Sequence, residues 1–111
     1  MIYKICRRTE WRAAEASGSF AGSPDDQRDG FIHLSTAAQV AETAARHFGG
    51  EDDLVIVAVN DGKVAPALIW ERSRGGALFP HLYAPLEIAV VAWTRSLPLG
   101  RDGRHQFPLL A

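Results

Sequence analysis

Between Leu54 and Trp93 the chain carries most of its strand-like segments and no helical pattern to separate them. A doubly wound parallel fold needs a crossover helix between successive strands, so this stretch has to pair in an antiparallel or mixed sheet. The continuous apolar run Leu54–Val59 is long enough for a central strand covered on both faces, and Asn60–Lys63 ends it with turn chemistry. "PALIWER", "LFPHLYAP" and "LEIAVVAW" follow as further strands, the second limited by prolines. Helical patterns come earlier. "TEWRAAEASG" has Thr9 as N-cap and Gly18 where a left-handed residue is wanted. "TAAQVAETAARHFGG" opens with Thr36 and Gln39 at capping-box spacing and carries an apolar stripe through Ala37, Val40, Ala41, Ala44 and Phe48. With "MIYKIC" as a first strand, the expected architecture is α+β: two short helices near the N-terminus and five or six strands in a mixed or antiparallel sheet.

At 111 residues the sequence has room for one domain, residues 1–111. Its 12 basic and 13 acidic side chains give a formal charge of −1, which removes any broad electrostatic reason to bind nucleic acid or an anionic membrane. No apolar run approaches the roughly 20 residues of a membrane span, and the first residues lack the order of a signal peptide, so a cytoplasmic location is expected. Cys6 stands alone among apolar neighbours and reads as a packed, inert thiol. "SFAGSPDDQRD" reads as an exposed loop long enough to be an active-site flap. The Pro- and Gly-punctuated tail from Ser96 is expected to drape over the body without forming a helix, its apolar Phe107, Leu109 and Leu110 being available to a neighbouring subunit in a homo-oligomer.

Lys4 is an awkward companion for Ile2 and Cys6 on one face of the first strand. Three stretches set polar groups in apolar surroundings: His33 in "FIHLST", Trp70 and Glu71 in "LIWER", and His81 and Tyr83 in "FPHLYAP". Burying a polar group without a partner costs a few kcal/mol, so these must pair with one another or face a cavity. Taken singly each has a structural explanation: a hydrogen-bonded sheet histidine, helix caps at Ser35 and Thr36, a core tryptophan, a solvated glutamate. His47 and His105 read as surface groups. The motifs of P-loop, dinucleotide-binding, zinc and serine-hydrolase sites are absent from the sequence.

The same blocks, "IYKI", "GFIHLSTAAQV", "DDLVIVAV", "IWE" and "LFPHLYAPL", together resemble the bacterial family known as domain of unknown function 952. That family is similar in fold to the ADP-ribosyltransferases, which implies a split α+β domain with a central cleft. The resemblance carries over to His33, Ser35, Trp70, Glu71, Phe79, Pro80, His81 and Tyr83. Lys4 stands where the family usually has histidine, and Ala84 where it usually has glycine. The implied site is a small-molecule cleft for a nucleotide or ADP-ribose-like ligand such as NAD. His33, His81 and Glu71 would do any acid–base work, Ser35 and Thr36 with the N-terminus of the second helix would receive phosphate, and Trp70 or Tyr83 would stack on a base. No catalytic glutamate of the transferase kind is recognisable. The alternative is an interaction or structural module in which the histidines form an internal network. Two imidazoles within about 10 Å, a span suited to one small ligand, would favour the cleft.

Overall fold

The computed structural model describes residues 1–110; the last tail residue, Ala111, lies outside them. All strand pairings within them are antiparallel, giving an α+β fold. One sheet has the order β1-β4-β8, from Ile2–Arg7, Leu54–Val59 and Val91–Leu97. The other has the order β3-β6-β5, from Ile32–His33, Leu78–Leu82 and Leu68–Arg72. The short strands β2 (Ser19–Phe20) and β7 (Leu86–Glu87) pair separately. The expected central strand is β4, whose six residues are all buried. It faces two cores. Cys6, Trp11, Phe20, Val55, Val57 and Leu82 belong to one; Tyr3, Val40, Ala44, Ile56 and Leu97 belong to the other. Burial raises the Cys6 thiol to about 12, so it stays protonated and inert.

Four helices form where two were expected. α1 (Arg8–Ser17) ends on left-handed Gly18 as anticipated, but starts before Thr9 because the Arg8 amide donates to the Asp53 carbonyl and Glu10 accepts from the Arg7 amide. The expected loop holds β2 and α2 (Pro24–Asp29), which has Pro24 in its first turn and Gly30 in the left-handed region at its end. α3 (Val40–His47) forms with half of the predicted box: Gln39 Oε1 accepts from the Thr36 amide at 3.0 Å, and the Thr36 hydroxyl makes no bond among the described residues. Asp61–Val64, expected as a turn, is the one-turn α4, capped by the Asn60 side chain. The segment expected as one last strand is broken into β7, a 3-10 turn at Ile88–Val90, and β8.

The tail is non-helical. Phe107 and Leu110 pack on the second core of their own chain, while Leu109 is 98% exposed. His105, expected at the surface, is half-buried with Nε2 2.7 Å from the Glu51 carbonyl. No helix among the described residues is long and apolar enough to cross a membrane.

The two larger sheets meet edge to edge. Tyr3 at the free edge of β1 and Ser35 just after β3 exchange both backbone hydrogen bonds, at 2.8 and 2.9 Å. A cavity opens at this junction.

Candidate functional site

Lys4 explains why α2 exists. Its side chain shares the β1 face of Ile2 and Cys6 and is 7% exposed, so its ammonium needs a buried partner. α2 supplies Asp26, which is 2% exposed. Asp26 Oδ2 lies 2.8 Å from Lys4 Nζ and accepts from the Ser23 amide at 2.9 Å. Oδ1 accepts from Lys4 Nζ at 3.0 Å and from the His33 amide at 3.1 Å, and lies 2.6 Å from His33 Nδ1. Burial alone would raise this carboxyl; the His33 hydrogen bond and the Lys4 charge outweigh it and hold the group at about 2. Lys4 also donates to the His33 carbonyl at 3.2 Å.

The approach to α2 is set by Gly22, whose φ is +112°. A Cβ there would stand 2.8 Å from Asp26 Cβ. Gly22→Ala is therefore expected to cost more than about 1 kcal/mol in denaturant unfolding. Gly103→Ala, at φ +80° with open space around it, isolates the backbone strain, so its loss should be the smaller of the two.

β3 and β6 place His33 opposite His81 as cross-strand partners, with ring centroids 5.6 Å apart. The two are not bonded to each other. His33 Nε2 lies 3.0 Å from Asp29 Oδ2, so both its ring nitrogens face carboxylates, and both bonds form together only when the ring carries two protons. Asp29 lies below the usual carboxylate range, chiefly through its bond from Arg28. His81, with its side chain 7% exposed, directs Nδ1 at Glu71 Oε1, 2.8 Å away on β5. The Tyr83 hydroxyl donates to the same oxygen at 2.6 Å. This bond, followed by that of His81, lowers the Glu71 carboxyl and correspondingly raises the Tyr83 phenol. The Phe31 ring stacks on His81 at 4.0 Å and leans on His33 and Tyr83 at 4.6 and 5.2 Å.

His81 Nε2 has no hydrogen-bond partner among the described residues. Trp11 Nε1 is the one fully buried side-chain nitrogen or oxygen among them that lacks a partner, so Nε2 keeps access to solvent. It is the ring nitrogen His81 can offer to the cavity that it lines.

That cavity has a volume of about 470 Å³, within the range of small-molecule sites. β1 contributes Tyr3, Lys4, Ile5 and Arg7; α2 contributes Asp25, Asp26, Arg28 and Asp29; His33 and Ser35, Phe79 and His81, and Thr43 and His47 complete most of the wall. Of the residues singled out from sequence, His33, Ser35 and His81 line it; Glu71 and Tyr83 stand behind His81, and Thr36 and Trp70 lie elsewhere. Ser35 is not a helix cap: its hydroxyl lies 3.0 Å from that of Thr43. Lys4, Asp26 and Asp29 also line the cavity, and Phe31, which is not among the lining residues, stacks on His81. The N-terminus of α3 does not face the cavity; Thr43 from its middle and His47 at its end do. Residues 5–94 match the family described as protein of unknown function (DUF952). A crystal structure of protein CC0527 from Caulobacter crescentus is 51% identical, with a TM-score of 0.91 over 95% of this chain and 92% of that one. A solution NMR structure of CC0527 gives a TM-score of 0.86 at the same identity over 95% and 90%. No curated protein matches the chain.

Proposed function

Because the chain belongs to this family of proteins of unknown function, we propose from the geometry that the cavity between its two sheets is a small-molecule site, with His81 as the group that meets the ligand. The observation that carries the reading is the half-satisfied imidazole: a side chain more than nine-tenths buried, one nitrogen fixed by Glu71, the other without a protein partner. Nε2 keeps access to solvent, so a ligand entering the cavity can replace water at a nitrogen that the protein itself leaves open. An internal network accounts for His33, whose nitrogens both meet carboxylates, and leaves His81 unexplained. The volume suits a nucleoside-sized group, and two antiparallel sheets meeting at the cavity support the split ADP-ribosylation-like fold expected from the resemblance. NAD and ADP-ribose therefore belong among the ligands to try.

The arrangement also suits acid–base work. With Nδ1–H donating to ionised Glu71, Nε2 of the neutral ring is a base positioned by a carboxylate, and His33 beside it, when its ring carries two protons, is an acid. Glu71 is a positioning residue in this scheme. The test is a thermal-shift screen of the full chain against nucleosides, nucleotides, NAD, ADP-ribose and divalent cations. A bound ligand should raise the melting temperature, His81→Ala should weaken binding about tenfold, and the effects of His33→Ala and His81→Ala should not add, because the two groups share one ligand. Full affinity in His81→Ala would remove the assignment.

A further inference from the structure

We infer that the cavity takes an uncharged, hydroxyl- or amine-bearing molecule, of the nucleoside or sugar class, in preference to its phosphorylated form. The inference rests on the small-molecule reading and narrows its ligand. Among the described residues, each lysine and arginine lining the cavity faces a carboxylate. Lys4 meets Asp26 at 2.8 Å, Arg7 meets Glu51 at 3.0 Å, and Arg28 meets Asp29 at 2.9 Å and Asp25 at 3.3 Å. A phosphate entering must displace one of these acids or lie beside it, and the repulsion is strongest beside the buried Lys4–Asp26 pair, 7% and 2% exposed.

The helices add nothing to offset this. α2 turns its N-terminal end to the cavity with Asp25 and Asp26 already there. α3 presents Thr43 from its middle and His47 from its last turn, where the helix dipole disfavours anions.

His81 supplies the independent half of the argument. An ionised Glu71 carboxylate only accepts, so Nδ1 carries the proton and donates. In the neutral ring Nε2 then accepts. Its complement is a donor, a hydroxyl or an amine, and a fully ionised phosphate has none. The hydroxyls of Ser35 and Thr43, 3.0 Å apart on the same wall, suit a second hydroxyl of such a ligand.

Calorimetric titration of the full chain with two matched pairs, adenosine against AMP and ribose against ribose 5-phosphate, reads the preference directly. In each pair the phosphate should weaken binding by about tenfold or more. Asp29→Asn, which takes a carboxylate from Arg28, should narrow that gap severalfold. NMR of the imidazole nitrogens in the free protein should show the neutral His81 ring carrying its proton on Nδ1 and none on Nε2, with the Nε2 resonance moving when adenosine binds. Tighter binding of the phosphorylated member, or a proton on Nε2 of the neutral ring, overturns the inference and leaves the cleft a small-molecule site. Binding by none of the four compounds overturns both.

Discussion

Asp26→Asn is expected to lower the unfolding free energy by about 3–5 kcal/mol, read from urea denaturation at neutral pH. The size follows from what the substitution leaves behind. Lys4 Nζ keeps its buried position and loses the negative charge that meets both carboxylate oxygens at 2.8–3.0 Å. Adding Lys4→Met should recover part of the loss by removing the stranded ammonium. The recovery stays incomplete because the Ser23 and His33 amides and the His33 ring also depend on this carboxylate. A double variant no more stable than Asp26→Asn would show that the stranded charge is not the cause. The acid dependence has a definite sign. The carboxyl is depressed from 3.8 to about 2, so its contribution, roughly 2 kcal/mol, is present above pH about 4 and disappears as the pH falls through about 2. The unfolding midpoint of the native chain should fall across that window, and that of Asp26→Asn should fall less.

Ile56→Ala should cost about 2–5 kcal/mol, with little change in the denaturant slope. Ile56 sits in the middle of β4, fully buried between its partners Ile5 on β1 and Arg95 on β8, in the core that contains Tyr3, Val40 and Leu97. Both flanking strands fix the backbone there, so the vacated volume can collapse only partly. Leu109→Ala is the control: that side chain is 98% exposed and its loss should change stability by less than about 0.5 kcal/mol. A small effect at Ile56 would mean that the core relaxes around the gap.

The parts of the fold with strong periodicity were legible. β4 follows from an unbroken apolar run, the end of α1 from Gly18, and the early helices with late strands from their order along the chain. α2 was missed because its six residues carry no apolar stripe to read; the signals present were Ser23, Pro24 and Gly30 at its ends. Its capture of Lys4 had one trace, a lysine on the apolar face of a strand. Within the site, strand parity decides what the residue list could not. Glu71 and Trp70 are neighbours on β5 and must point to opposite faces, so they could not both attend His81. Ile69 is opposite His81, Glu71 is two residues on, and Tyr83 is two beyond His81, which puts all of them on one side. Trp70, 42% exposed, goes with the other side. The pairing of His33 with His81 was inferable only as proximity; the register that makes them direct partners comes from the tertiary fold.

The paired amides of Tyr3 and Ser35 also bear on how the chain avoids assembling with copies of itself. An unpaired strand edge is a template for another strand, and aggregation begins there. By hydrogen-bonding the border of β1 to the chain just past β3, the junction gives two such borders to each other and makes the pair of sheets behave as one folded ribbon, β8-β4-β1 against β3-β6-β5. Among the described residues this leaves β5 and β8 as the outer borders, each paired on one side. Both are interrupted by charge, Glu71 and Arg72 on the first and Arg95 on the second, and an incoming strand would have to strip water from those groups before it could add. The contact that shapes the cavity thus also leaves the joined sheets with two charged rims.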